Sequence, residues 1–275
     1  MSRSHWSRLL AVLAVLALAL VAAGCGGGSD DEEGGGGDEG EAKATLTVGS
    51  DIPYPPFEEG KAPNFTGFDI ELLEAVAENT GREAEFEDTS FDTIFRDLAQ
   101  GKFEAVASAT TITDEREETV DFTDPYYRSE QAILVKEGGT IDSVEGLKGA
   151  TVGVQQGTTG QEFTEEKAEA DEVRPYPQGP DAVAALQSGT VDAVVIDIPV
   201  AEKAVEAESG IEISAAIPTE EEYGFVVAQG DTELLEELNE GLEQAKEDGT
   251  YTKIYEKWFK HEPPEEIFSA THEAS

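Results

Sequence analysis

Between residues 45 and 260 the chain alternates short strand-like runs with helical stretches, and this alternation narrows the possible folds more than any other feature. Residues 45–50 place Leu46 and Val48 between polar neighbours, the two-residue period of a strand. The next residues, Asp51-Ile52-Pro53-Tyr54-Pro55-Pro56-Phe57, hold three prolines and read as a stiff loop. Residues 69–79 put Ile70, Leu73, Val76 and Ala77 on one helical face, with Gly81 as the stop. Residues 84–87 read as a strand. Ser90 then opens a helix that turns Ile94, Phe95 and Leu98 inward and stops at Gly101, and residues 105–107 form another short strand. The pattern recurs with strands at 131–136 and 151–154, a helix from Gly157 through Ala168, a strand at 173–176 and a helix at 180–188. A strand at 191–196 leads to a helix with Pro199 in its first turn, where proline is tolerated. A strand at 223–228 and helices at 232–247 and 251–260 complete the series. Such an order predicts α/β lobes with mostly parallel sheets.

In open α/β sheets ligands bind beyond the carboxyl ends of the strands. Polar residues collect at those places: Asp51 and Tyr54 after the first strand, residues 108–116 after the third, residues 155–159 after Val154, and Asp197 after Ile196. The segment 110–127, TTITDEREETVDFTDPYY, holds one cation, Arg116, among Asp114, Glu115, Glu117, Glu118, Asp121 and Asp124. Arg116 could neutralise those acids, or its planar fork could clamp a small carboxylate. Gly157-Thr158-Thr159 at a helix start offers free N–H groups and the positive end of a dipole, which suits an anion. No phosphate-loop pattern is present, and Gly153, Gly157 and Gly160 do not fit a dinucleotide fingerprint. Asp197 ahead of Pro199 is either a helix cap or an acceptor for a cationic group.

The ends of the chain carry a different message. Arg3 and Arg8 precede an apolar run from Leu9 to Ala23, too short for a membrane span and suited to an export signal. The run ends in Val21-Ala22-Ala23-Gly24-Cys25, which resembles a bacterial lipobox. Residues 1–24 are thus expected to be a lipoprotein signal peptide and Cys25 the lipidated residue, with an ordinary secretory signal and an incidental cysteine as the other reading. Cys25 is the only cysteine, so no internal disulfide can form. A multiply acylated cysteine would anchor the chain stably on the outer face of a membrane. Residues 25–44, glycine and acid with little to bury, are expected to be a disordered tether. The net charge is −42, and −44 without Arg3 and Arg8. This excess argues against nucleic-acid and anionic-lipid partners and, because like copies repel, favours a monomer. The charge also suits a salt-adapted surface.

The ordered set Gly67-Phe68-Asp69, Ile112-Thr113-Asp114-Glu115-Arg116, Asp121-Phe122-Thr123, Pro125-Tyr126-Tyr127 and Gly249-Thr250-Tyr251 near Trp258 resembles the extracellular solute-binding proteins, family 3, of polar amino-acid ABC transporters. The resemblance covers about residues 46–259. It implies a two-lobed, type II periplasmic-binding-protein fold with mixed sheets, flanking helices and two hinge crossings. Residues 45–127 plus 222–262 would form one lobe and 128–221 the other, with crossings near Arg128 and Tyr223 and a flexible tail at 263–275. It also implies roles. Arg116 and Thr111 would hold an α-carboxylate, helped by Thr158 and Thr159 from the opposite lobe. Asp197 would accept from the ammonium group, with Ser108 and the Ala109 carbonyl as further acceptors. Tyr54 and Phe91 would enclose the side chain, Phe91 serving equally well in the core, and Asp51 would face its distal end. Glutamine-binding members carry a basic residue at the position of Gln155 and a histidine at that of Ile196. Their absence points away from glutamine, and Ser108, Asp51, Tyr54 and Phe91 together resemble the pocket for cationic amino acids.

An enzymatic role is narrowed by composition. His5, His261 and His272 lie outside residues 45–260, as does Cys25, so histidine-based triads and Cys/His metal sites are excluded there. No cofactor or metal is implied. Carboxylate catalysis stays open, since dehydratases of cyclohexadienyl acids share this scaffold, and a sensor input domain is a third reading. The acids Glu220-Glu221-Glu222 read as solvated surface.

Overall fold

The structure, a computed structural model, describes residues 43–272. The expected signal, Cys25 and most of the expected tether lie outside the described residues. Strand β1 (Ala44–Ser50) leads through a small hairpin, β2 (Glu59–Lys61) and β3 (Asn64–Thr66), into helix α1 (Phe68–Asn79). Then come β4 (Arg82–Asp88), α2 (Ile94–Ala99), β5 (Ala105–Val106), the one-turn helix α3 (Asp114–Glu117) and β6 (Val120–Phe122). Strand β7 (Tyr127–Lys136) carries the chain into a second sheet. It is followed by β8 (Thr151–Gln155), α4 (Thr159–Lys167), β9 (Glu172–Tyr176), α5 (Gly179–Ser188), β10 (Ala193–Asp197) and α6 (Ile198–Ala207). Strand β11 (Ile211–Tyr223) returns the chain to β12 (Val226–Ala228), and α7 (Thr232–Glu247) and α8 (Thr250–Phe259) follow.

The first sheet has the order β4-β1-β5-β12-β6 and the second β11-β7-β10-β8-β9. Helices flank both, so the fold is mixed α/β with two sheets. The expectation of mostly parallel sheets is corrected. In the first sheet β12 runs antiparallel to β5 and β6, and in the second β7 runs antiparallel to β10 and β11. Hydrophobic period reveals a strand but not its direction, and the two crossings reverse the chain. Strand β6 is only three residues long, and β11 has two register shifts that interrupt its alternation, so neither is visible in the sequence.

One apolar cluster runs from Leu46, Val48, Leu72 and Val76 under the first sheet to Leu134, Val194 and Ile196 under the second. Where the chain crosses, aromatic rings concentrate. Tyr127 stacks on Tyr223 at 5.6 Å and on Tyr255 at 5.8 Å, and Phe57, Phe68 and Phe259 pack around them. Each ring adds buried apolar area and a preferred geometry, which stiffens the junction. Helix α8 is held to α1 by Glu71, which accepts from Lys257 Nζ at 2.6 Å and from the indole of Trp258 at 3.2 Å. Gly67 has φ +137°, and a Cβ there would meet the Phe57 carbonyl oxygen at 1.9 Å, so the Gly-Phe-Asp motif needs its glycine.

Residues 263–272 are not a free tail. Ile267 is fully buried, the His272 N–H donates to Asp124, and its ring pairs with Glu117 at 2.8 Å. Two apolar anchors, Pro263 and Ile267, give this acidic segment something to bury. Among the described residues no helix is long and apolar enough to cross a membrane.

Candidate functional site

The first-sheet wall of the cleft is built by the ends of β1 and β5. The Ser50 hydroxyl donates to the Ala107 carbonyl at 2.6 Å, and the Ser108 hydroxyl accepts from the Asp51 N–H at 3.0 Å. These bonds bring Asp51, Tyr54, Ser108 and Ala109 to one rim. The next residues are tied to β11: the Ile112 N–H donates to the Glu222 carbonyl at 2.8 Å, and Thr111 bridges to Tyr223. Thr113 caps α3 by accepting from the Arg116 N–H at 3.2 Å. This single capped turn aims Arg116 into the cleft.

The Arg116 side chain forms no ion pair with its acidic neighbours. Its Nη1 donates to the Thr111 carbonyl at 2.7 Å and its Nη2 to the Gly157 carbonyl at 3.3 Å, and its guanidinium carbon lies over Phe91 at 5.4 Å and Phe95 at 5.2 Å. The two rings orient the plane of the guanidinium. Asp114, Glu115 and Glu118 are exposed, as read from the sequence, whereas Glu117 is engaged by His272. Phe91 has a second duty beneath the wall, packing with Ile94, Leu98 and Phe103.

The second-sheet wall comes from the ends of β8 and β10. Thr158 is the N-cap of α4, accepting from the Gln161 N–H at 3.2 Å and donating to the Gln155 carbonyl at 2.8 Å. The first-turn N–H groups of α4 have no intrahelical partner by geometry. Asp197 closes β10 and begins α6 without capping it through its side chain. The two walls touch. The Tyr54 hydroxyl donates to Asp197 at 2.6 Å, Gln155 donates to Asp51, and Gln178 donates to the Ile52 carbonyl at 3.0 Å.

All eleven residues singled out from the sequence line one cavity: Asp51, Tyr54, Phe91, Ser108, Ala109, Thr111, Arg116, Gln155, Thr158, Thr159 and Asp197. It is narrow. The space open to the centre of a water-sized sphere is about 20 Å³, little more than one water requires. That space is smaller than an amino acid.

Electrostatically the cavity is a half-buried arginine facing buried acids. Burial pushes Asp51 up to about 7, against the opposing hydrogen bond from Gln155. Burial also raises Asp197 to about 7, with the Glu221 carboxylate adding to the effect and the Tyr54 hydroxyl opposing it. Burial lowers Arg116, and the charges of Glu221 and Asp197 offset part of that. Acids poised near neutrality beside a fixed cation suit a ligand carrying both signs of charge.

Two residues of this constellation escape a reading of the sequence. Glu221 is buried, not solvated surface, although Glu220 is exposed and Glu222 pairs with Arg128 at 2.8 Å. Its Oε2 accepts from the Thr111 hydroxyl at 2.7 Å and from the Thr159 hydroxyl at 3.2 Å, so one oxygen holds a residue from each wall. Its Oε1 accepts from Gln131 Nε2 at 2.9 Å, and Gln131 also donates to Asp197. The signal that could have found Gln131 is an amide directly ahead of the apolar run Ala132-Ile133-Leu134-Val135. Glu221 has none, because the register shifts of β11 hide its period. Thr111, expected to help hold a carboxylate, gives its hydroxyl to Glu221.

Comparison with known proteins gives one consistent family. A model for bacterial extracellular solute-binding proteins, family 3, matches residues 46–261. The arginine-binding extracellular protein ArtP of Bacillus subtilis is 34% identical over 92% of this chain and 98% of its own length. Among solved structures, an ancestral arginine-binding protein bound to glutamine is 42% identical with a TM-score of 0.77, covering 80% of this chain and all of that one. The arginine-, lysine-, histidine-binding protein ArtJ of Geobacillus stearothermophilus is 34% identical, also at 0.77, covering 82% and 99%.

Proposed function

Because this chain belongs to the bacterial extracellular solute-binding proteins, family 3, we propose that it captures one free amino acid, with a cationic side chain, between its two sheets and passes it to an ABC permease. Its relatives are amino-acid-binding transport proteins, and the chain is a binding protein of amino-acid transport rather than an enzyme.

The observation that carries the ligand reading is Arg116. Its fork reaches across the cleft to a backbone carbonyl while the acids beside it in sequence leave it alone. A ligand α-carboxylate would take that fork with help from Thr111 and from the start of α4 at Thr158 and Thr159. Asp197 would accept from the α-ammonium group. Asp51, with Gln155, Ser108 and the Ala109 carbonyl around it, would meet the positive end of the side chain, and Tyr54 and Phe91 would supply ring faces. Each wall alone holds only part of these groups, so the ligand binds the closed arrangement more tightly and shifts the population towards it.

The moving parts in this reading are the lobes 45–127 plus 222–262 and 128–221, turning about crossings near Arg128 and Tyr223. The chain would work as a monomer, tethered outside the cytoplasm through lipid on Cys25. A thermal-shift series with the twenty amino acids tests the ligand class, because a ligand bound only by the native state raises the midpoint. Arginine, lysine or histidine should give the largest shifts. A flat series, or a lead by acidic amino acids, would overturn the reading.

A further inference from the structure

Glu58 and Asp69 lie behind the first-sheet wall, both fully buried. Asp69 Oδ2 accepts from the Ala109 N–H at 2.7 Å and the Tyr126 hydroxyl at 2.6 Å. Its Oδ1 and both Oε atoms of Glu58 have no conventional donor. None of the ion pairs among the described residues includes either residue. The ionisable groups that face them are also acids or phenols: Asp51, Asp197, Tyr54 and Tyr126.

Two adjacent carboxylates in a dry, cation-free environment cannot both ionise. A single proton resolves the arrangement, since one carboxyl O–H then donates to the oxygen facing it. Which carboxyl holds it follows from the remaining bonds. Asp69 has two donors and sits in the first turn of α1, where the helix dipole favours a negative charge. Glu58 has neither. Burial and the neighbouring Asp69 carboxylate push Glu58 well up, while Asp69 is raised by burial only to about 6.

We propose that Glu58 and Asp69 share one proton, and that this singly charged pair is the unit that positions the first-sheet wall of the cleft. Two wall residues hang from it. Ala109 has φ +43°, a conformation costly for a residue with a side chain, and its N–H is held there by Asp69. Tyr54 exchanges backbone hydrogen bonds with Glu58, N–H to carbonyl at 2.8 Å and 3.1 Å, and this turn sends its hydroxyl to Asp197. Neither acid touches the cavity, so they act through Ala109 and Tyr54. The positioning role rests on the cleft being the ligand site, whereas the shared proton does not.

Infrared spectroscopy of the ligand-free protein separates the two. At pH 8, above the range in which Asp51 and Asp197 titrate, the wild type should keep the C=O band of an un-ionised carboxylic acid. Glu58→Gln should lose that band. Asp69→Asn should lose it too, because its amide N–H can donate to an ionised Glu58. Binding of arginine should fall at alkaline pH in the wild type. Glu58→Gln keeps an N–H donor towards Asp69, so its affinity at pH 8 should stay within about threefold of wild type and the alkaline fall should vanish. Absence of the band from the wild type, its survival in both variants, or an unchanged alkaline fall in Glu58→Gln would overturn the proposal. Expected infrared behaviour in a protein that binds no amino acid would sink the ligand reading and with it the positioning role, and would leave the shared proton standing.

Discussion

Arg116 has its plane set by Phe91 and Phe95 and one edge anchored on the Thr111 carbonyl, so its geometry precedes any ligand. Replacing it with alanine would leave a ligand carboxylate buried without its charge-assisted donors. Affinity should fall by about 2–5 kcal/mol, as for truncation of other buried charge pairs. Arg116→Lys should recover only part of the loss, since an ammonium cannot bind a carboxylate through two parallel bonds. Calorimetry on both variants checks this, and equal affinities for wild type and Arg116→Ala would refute the clamp. Asp51 and Asp197 make a pH prediction at the same scale. Each stands at about 7 in the folded chain against an ordinary value of 3.8. Between those values the folded state holds more protons than the unfolded one, so stability falls as pH rises from about 4 to 7 and then levels. Binding a cationic group runs the other way, because it needs both acids ionised. Affinity should therefore weaken as pH falls below 7, with up to about a tenfold loss per pH unit for each acid that must give up its proton. Calorimetry at pH 6 in buffers of different ionisation enthalpy should show proton release on binding, and no release would count against both assignments.

At the scale of elements, Gly67 joins the hairpin to α1 in a backbone conformation reserved for glycine, hard against Phe57. Gly67→Ala should cost about 1–3 kcal/mol from the backbone alone, read as a lower urea midpoint with an unchanged m-value. An unshifted midpoint would mean that the loop rearranges freely. The contrast between such local demands and long-range pairing explains what the sequence reveals. Helices such as α1 and α7 are legible because apolar residues recur with the helical period over three or more turns. The eleven cavity residues are legible because each follows the carboxyl end of a strand, or belongs to a motif shared with a known family. What stays hidden depends on partners distant in the chain. Gln131 meets Glu221 ninety residues on, through a strand whose register shifts erase its period. Glu58 and Asp69 each look like ordinary surface acids until the fold buries them together. The turn of 263–272 onto Asp124 and Glu117 is likewise a tertiary event with no periodic trace.

Over the whole molecule, 60 acidic residues face 18 basic ones, and among the described residues most of the acids are exposed, where they repel one another. Raising salt from about 0.01 M to 1 M shortens the screening distance from about 30 Å to 3 Å. That weakens both the repulsion and the surface ion pairs. With so few bases the repulsion outweighs the ion pairs, so the thermal midpoint should rise with salt. The same field bears on capture. A cationic amino acid approaches a molecule whose potential attracts it from beyond contact range, and screening removes that attraction before the cleft is reached. On the proposed reading, a ligand in the closed cleft would be held by Arg116, Asp51 and Asp197, which line a narrow cavity where salt screens poorly. The association rate for arginine should thus fall with salt while its dissociation rate changes little. Stopped-flow kinetics in low and high salt would measure both. A salt effect residing in dissociation would place the decisive contacts at the solvent-exposed rim and not between the two walls.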